Sequence, residues 1–133
     1  MNPLYPDVAE RAEKRCEYCR APEQVFNFAF EVEHVEPRSA GGGDSSDNLA
    51  LACASCNSYK AVARSGRDKD TGQRSLLFHP RRDRWSDHFR FDSETGLVQG
   101  TTPKGRVTVA QLKMNPKFQI RARQQWIQLE IYP

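Results

Sequence analysis

At 133 residues the chain is within the size of one domain and can bury only a modest core. Apolar residues make up 38% and charged residues 28%, and no apolar run approaches the roughly 18 residues that a membrane span needs, so no membrane contact is expected. The net charge of +3 is unevenly placed: residues 1–65 hold 7 Lys and Arg against 10 Asp and Glu, and residues 66–133 hold 13 against 7. The second half can attract a polyanion and the first can hold a cation, while a plain coat of solvating charge gives the same skew, which alone decides nothing.

The opening residues, MNPLYPDVAERAEKR, have no apolar stretch of the kind that a secretory leader carries. A cytoplasmic protein is expected, with its cysteines reduced or bound to metal. Pro6, Asp7-x-x-Glu10 and the Glu10/Lys14 pair predict a short helix over residues 7–14 that leads into Cys16-x-x-Cys19. After Pro22, Phe26, Phe28, Phe30 and Val32 alternate with Asn27, Ala29, Glu31 and Glu33, which predicts a strand ending at His34. A glycine-rich loop, Gly41 to Gly43, separates it from a short return strand at residues 48–52. Residues 54–64 lack Gly and Pro and suit a helix, which would carry Cys56, Asn57 and Lys60.

Residues 65–72 are polar and turn-rich and read as a loop. Leu76, Leu77 and Phe78 form an apolar anchor, followed by Arg81, Arg82 and Arg84 interleaved with Trp85, His88 and Phe89. Phe89 to Phe91 and Leu97 to Thr101 flank a turn and predict a small hairpin. Thr108-x-x-Gln111 has the form of a capping box opening a helix to Lys113, and Asn115–Pro116 starts a last helix. In that helix Phe118, Ala122, Trp126 and Leu129 fall on one face. The fold class is α+β, expected as a single domain over residues 1–133. Its core, about 16–64, reads strand, loop, strand, helix, and its basic extension, 65–133, adds a small hairpin and helices.

Two thiolate pairs, Cys16-x-x-Cys19 and Cys53-x-x-Cys56, lie 33 residues apart. A two-residue spacer lets both sulfurs of a pair reach one tetrahedral ion, so the two turns can close a four-cysteine zinc site. Four protein ligands leave no position for water, which makes such a zinc structural. Disulfides are the main rival reading and a redox dithiol a lesser one; the expected cytoplasmic setting favours metal.

Glu33 and His34 are neighbours at a strand end, so their side chains face opposite ways, and Asn57 follows Cys56 directly. Hydrolysis of a phosphodiester needs a base for the attacking water and a cation for the charge that builds on phosphate. Histidine can serve as the base near neutral pH. A carboxylate and an amide oxygen suit a hard ion such as Mg2+ or Mn2+.

Glu33-His34-Val35-x-Pro37-Arg38-Ser39-x-Gly41-Gly42, then Asn48-Leu49-x-Leu51-x-Cys53-x-x-Cys56-Asn57-x-x-Lys60, resembles the HNH endonuclease family, also called ββα-metal or His-Me finger nucleases. The resemblance implies His34 as general base, Glu33 and Asn57 as ligands of a catalytic divalent ion, and Asn48 as the residue that ties the loop together. It sets Lys60 against a phosphate. The family's usual Asp is here Glu33, and its last His is here Asn57, a variant that favours Mg2+ or Mn2+ over zinc. The implied activity is metal-dependent cleavage of double-stranded DNA, nicking one strand per site and leaving 5′-phosphate and 3′-hydroxyl ends. Residues 77–89 and Gly105-Arg106-x-Thr108 also look like small stand-alone members, without assigning chemistry to any residue.

His79 and His88 read as packing residues near Trp85, and Arg81, Arg82, Arg84 and Arg90 as phosphate clamps or solvated surface. Two other readings remain. One is a zinc-ribbon nucleic-acid-binding module with a vestigial nuclease site; the other is an interaction domain that docks a partner through Trp126 and Ile127. No protein partner or dimer interface is legible.

Overall fold

A computed structural model describes residues 2–133. Helix α1, Tyr5–Arg11, starts with Pro6 in its first turn and Asp7 beside the positive end of its dipole, and it buries Val8 and Ala9. It ends before the predicted residue 14 because Glu13 and Lys14 both take φ 55°. That turn sends the chain into the first cysteine pair.

Strand β1, Glu31–His34, pairs antiparallel with β2, Leu49–Ala52, so that Glu31 faces Ala52 and His34 faces Leu49. The alternation upstream of Glu31 does not extend the strand, because the four residues of β2 are all matched by residues 31–34. Phe26 instead nucleates an aromatic cluster, with ring centroids 4.8 Å from Phe30, 6.1 Å from Phe28 and 6.0 Å from Trp126. Helix α2, Ala54–Lys60, is capped by Cys53, whose sulfur accepts the Cys56 N–H at 3.4 Å. It stops four residues short of the predicted end, since Ala61 takes φ 47°. Strand, loop, strand and helix therefore succeed one another as a ββα unit.

The predicted loop at 65–72 is in fact one strand and the turn of a hairpin, β3 (Ser65–Arg67) with β4 (Arg74–Leu76). Its turn is built by the Asp68 carboxylate, which accepts from Thr71 Oγ1 at 2.8 Å and from Arg106 at 2.9 and 3.0 Å. Alternation was too short to reveal the strands; the closing interactions come from 38 residues away. The short helix α3, Trp85–His88, runs into the hairpin β5 (Phe89–Phe91) with β6 (Val98–Gly100). Helix α4, Pro103–Gln111, begins five residues before the predicted capping box. Its cap is Thr102, accepting from the Gly105 N–H at 3.0 Å, while Thr108 lies inside the helix and accepts from the Phe78 N–H at 2.9 Å. Gly105 lets α4 approach the end of α3: a Cβ there would strike the His88 carbonyl oxygen.

The last helix, α5, spans Lys117–Gln128 after Pro116. Its buried residues are Arg123 and Trp126, whereas Phe118 is 76% and Leu129 67% exposed, so the predicted apolar face is only partly used. Arg123 donates to the carbonyls of Gly96 and Met114 at 2.8 Å each, which turns a charged residue into the link between α5 and the β5–β6 turn. The result is an α+β fold of short antiparallel pairs and helices around one apolar core. No helix of the described residues is long and apolar enough to cross a membrane.

Candidate active site and metal centre

The four cysteines converge. Their sulfurs all lie within 4.8 Å of one another, and every residue of the group is buried. Cys19 and Cys53 Sγ stand 3.8 Å apart. A disulfide needs about 2.05 Å, whereas a tetrahedral ion with metal–sulfur bonds of about 2.3 Å separates its sulfurs by about 3.8 Å. The thiols are free, and the spacing excludes the disulfide reading for this pair. Hydrogen bonding with Cys16 pulls the Cys53 thiol far down and pushes Cys19 and Cys56 well up, as expected where crowded sulfurs cannot all ionise without a countercharge. The Cys19 and Cys56 N–H groups donate to Cys16 and Cys53 sulfur at 3.5 and 3.4 Å, a polarity that favours thiolates. The donor set fits a closed, structural metal ion such as zinc.

This cluster fixes the ends of the ββα unit, since one pair precedes β1 and the other opens α2. Between the strands the chain is fastened by Asn48. Its side-chain oxygen accepts from Glu36 N–H at 2.8 Å, and its amide donates to the Glu36 and Gly43 carbonyls at 3.0 and 2.9 Å. Gly42 permits this close passage, because a Cβ there would overlap the Glu36 carbonyl. The pinned loop carries Asp44 back to β1. There Asp44 Oδ1 meets His34 Nε2 at 2.7 Å and Arg38 at 2.9 Å. The His34 bond, helped by Arg38, holds the Asp44 carboxyl below its usual range. Asp44 drew no attention in the sequence: the only signal was its place in the loop that returns to the His34 strand.

Glu33 points away from His34, as strand alternation requires, and into the interior, where it is 4% exposed. Its Oε2 accepts from Tyr18 at 2.7 Å, and its Oε1 lies 2.5 Å from Lys60 Nζ in an ion pair without hydrogen-bond alignment. Burial pushes the Glu33 carboxyl up, and Lys60 and Tyr18 pull back against it. Lys60 is 2% exposed and also donates to the Val35 carbonyl at 2.9 Å, so it cannot meet a phosphate from this position. Asn57 is half-buried on α2. Glu33 offers no open coordination position while Lys60 holds it.

The remaining basic and imidazole groups divide. Arg81 pairs with buried Glu17, and Trp85 donates to the Tyr18 carbonyl at 2.8 Å, so both serve the packing around the first cysteine turn. His88 bonds Thr102 Oγ1 at 2.7 Å beside Phe78. Arg82 and Arg84 are exposed, and Arg90 bonds Gln99 on the surface.

Residues 16–61 match the family model described as HNH endonuclease. The chain is also 35% identical over 89 residues to a Septu protein PtuA of Bacillus mycoides (strain KBAB4), covering 59% of this chain. It spans 12% of that protein's length. No solved structure matches. The family match begins at the first zinc-type cysteine and ends one residue past α2, on the same unit that the folded geometry sets apart. The chain thus carries an HNH endonuclease family match over residues 16–61, a stretch that includes all four cysteines of the cluster.

Proposed function

We propose that the chain hydrolyses phosphodiester bonds in DNA, with His34 as the general base. The observation that carries this is the His34–Asp44 pair, held on a loop that Asn48 and Gly42 lock between two strands. Asp44 accepts the Nε2 proton of the neutral ring, which leaves Nδ1 with its lone pair for the proton of an attacking water. The oxygen of that water bonds to phosphorus as the bond to the 3′ oxygen breaks, and the departing 3′ oxygen takes a proton from solvent. The products are a 5′-phosphate and a 3′-hydroxyl. One such pair per chain gives nicks rather than double-strand breaks. Lys60 and Glu33 support the base from behind: Lys60 fastens the Val35 carbonyl, the residue after His34. A divalent ion joins this scheme only where Lys60 releases Glu33.

One observation favours a second reading. The sealed Glu33 suits a zinc-stapled module that binds nucleic acid without cutting it. Supercoiled plasmid separates the two. It is incubated with the chain and with His34→Ala, in EDTA, Mg2+ or Mn2+. Open circles that require His34 are expected, and their dependence on added metal reads whether Glu33 opens. Intact plasmid in every lane moves the assignment to the binding module or to a structured substrate that the plasmid lacks, and cutting that survives His34→Ala removes the base from the mechanism.

A further inference from the structure

Beyond the stretch that matches the family, the β3–β4 hairpin sorts its charges by side. Gly66 turns toward α4, where a Cβ would meet Val107 at 3.4 Å, so this face of the hairpin rests on the helix. Both acids of the hairpin are drawn to the same helix. Arg106 of α4 takes Asp68 at 2.9 and 3.0 Å and Asp70 at 3.3 Å. By strand alternation Arg67 and Arg74 stand on the opposite face, and both are exposed, as is Lys69 in the turn.

The register sets Arg67 directly across from Arg74. Like charges in that relation repel, and a hairpin shaped for its own stability would hold an opposite pair there. Neither arginine has an ion-pair partner among the described residues. Arg67 donates to the Gly72 carbonyl at 3.0 Å and Arg74 to Ser65 Oγ at 3.0 Å, both neutral acceptors. Two guanidinium groups are thus held side by side with their charge unmatched.

The hairpin is also tied to the strand that carries the base. Arg64, the residue before β3, forks onto Glu36 at 3.0 and 2.9 Å, and Glu36 is two residues beyond His34. At the far end of the hairpin, Leu76 and Glu36 line one cavity. The arginine pair therefore rides on a ribbon anchored beside His34. A ligand that relieves the pair must bring negative charge to both arginines and continue toward the base. Successive phosphates of a nucleic-acid strand do both, whereas a lone small anion does only the first. We propose that the outer face of β3–β4 grips the phosphate backbone of DNA next to the phosphate presented to His34, through Arg67 and Arg74. The inference rests on the nuclease reading and gives the second half of the chain a part in it. Such contacts fix the position of the strand, carry no sequence information and weaken with salt as counterions are no longer released.

The test reads binding, not cleavage. His34→Ala protein is titrated into a fluorescein-labelled DNA duplex by anisotropy over a series of salt concentrations. Arg74→Glu on that background turns the like pair into an opposite pair, so that Arg67 is neutralised as well. It should lower the slope of log affinity against log salt by about 2. Its melting temperature should hold or rise, because the cross-strand repulsion is gone. Arg121→Glu, an equal change of charge at an exposed position of α5, should keep the slope of the parent. Where Arg74→Glu melts early, Arg67→Thr, which keeps the Arg74–Ser65 bond, should lower the slope by about 1. An unchanged slope in the hairpin variants, or an equal loss in Arg121→Glu, overturns the hairpin contact alone. Failure of the parent to bind the duplex at low salt overturns the nuclease reading, and the hairpin contact with it.

Discussion

At the scale of single residues, the site depends on an acid that carries no motif. Asp44 is ten positions from His34, and only the loop's path makes them neighbours. It is exposed and touches no proposed reacting atom, so it is a positioning residue. Replacement by Asn keeps the shape but lets an amide N–H donate to Nε2, which moves the ring proton to Nδ1 and blocks the base. Asp44→Asn should therefore lower kcat about 10²- to 10⁴-fold with little change in KM. Melting temperature should barely move, as for most surface substitutions, and Asp44→Glu should recover part of the rate. A loss in KM instead, or no loss, would remove Asp44 from the mechanism. The sign of its titration is also set. The carboxyl lies below its usual range, so the pair is intact above the ordinary carboxylate pKa and is lost only as pH falls through the lowered value.

At the scale of elements, the Glu33–Lys60 pair joins β1 to α2 across the interior. Both side chains are out of water, so their charges are worth little as a pair and much when separated. Lys60→Met leaves the buried Glu33 carboxylate unmatched and should cost about 3–5 kcal/mol by urea unfolding. Glu33→Leu with Lys60→Met should recover most of that loss, and a double variant as unstable as the single one would show that the pair does not couple the elements. Burial raises the Glu33 pKa, so the folded chain binds this proton more tightly than the unfolded chain does. Its contribution to stability is therefore greatest below the ordinary carboxylate pKa and falls as pH rises through the raised value. The sequence placed Glu33 and His34 on opposite faces correctly, because strand geometry alone dictates that. That the Glu33 face is closed was not legible, since Lys60 reaches Glu33 only after α2 folds back. The same limit explains the missed β3–β4 hairpin and the displaced capping box. Asp68 is fixed by distant Arg106, and Thr108 spends its hydroxyl on Phe78 rather than on a helix start.

At the scale of the molecule, the cysteine cluster holds more than the ββα unit, which the spacing of the cysteines alone did not reveal. Tyr132 donates to the Cys19 carbonyl at 2.7 Å, Trp85 to the Tyr18 carbonyl at 2.8 Å, and Arg15 to the Ile131 carbonyl at 2.8 Å. Glu17, between the first two cysteines, accepts from Leu51 N–H and pairs with Arg81. The basic second half is thus docked on the first cysteine turn, and both tryptophans belong to the same packed body. Zinc at such sites contributes about 10–16 kcal/mol of folding free energy in isolated fingers, as much as a whole small domain retains. Metal analysis should give one zinc per chain, and stripping it should unfold both halves together. Trp85 and Trp126 fluorescence should then shift red in a single transition with the loss of helical circular dichroism, and Cys56→Ser should behave as the stripped protein. Two separate transitions would mean that the halves fold independently. A stripped protein with unchanged melting would mean that the sulfurs hold no structural ion, and that the apolar core alone carries the fold.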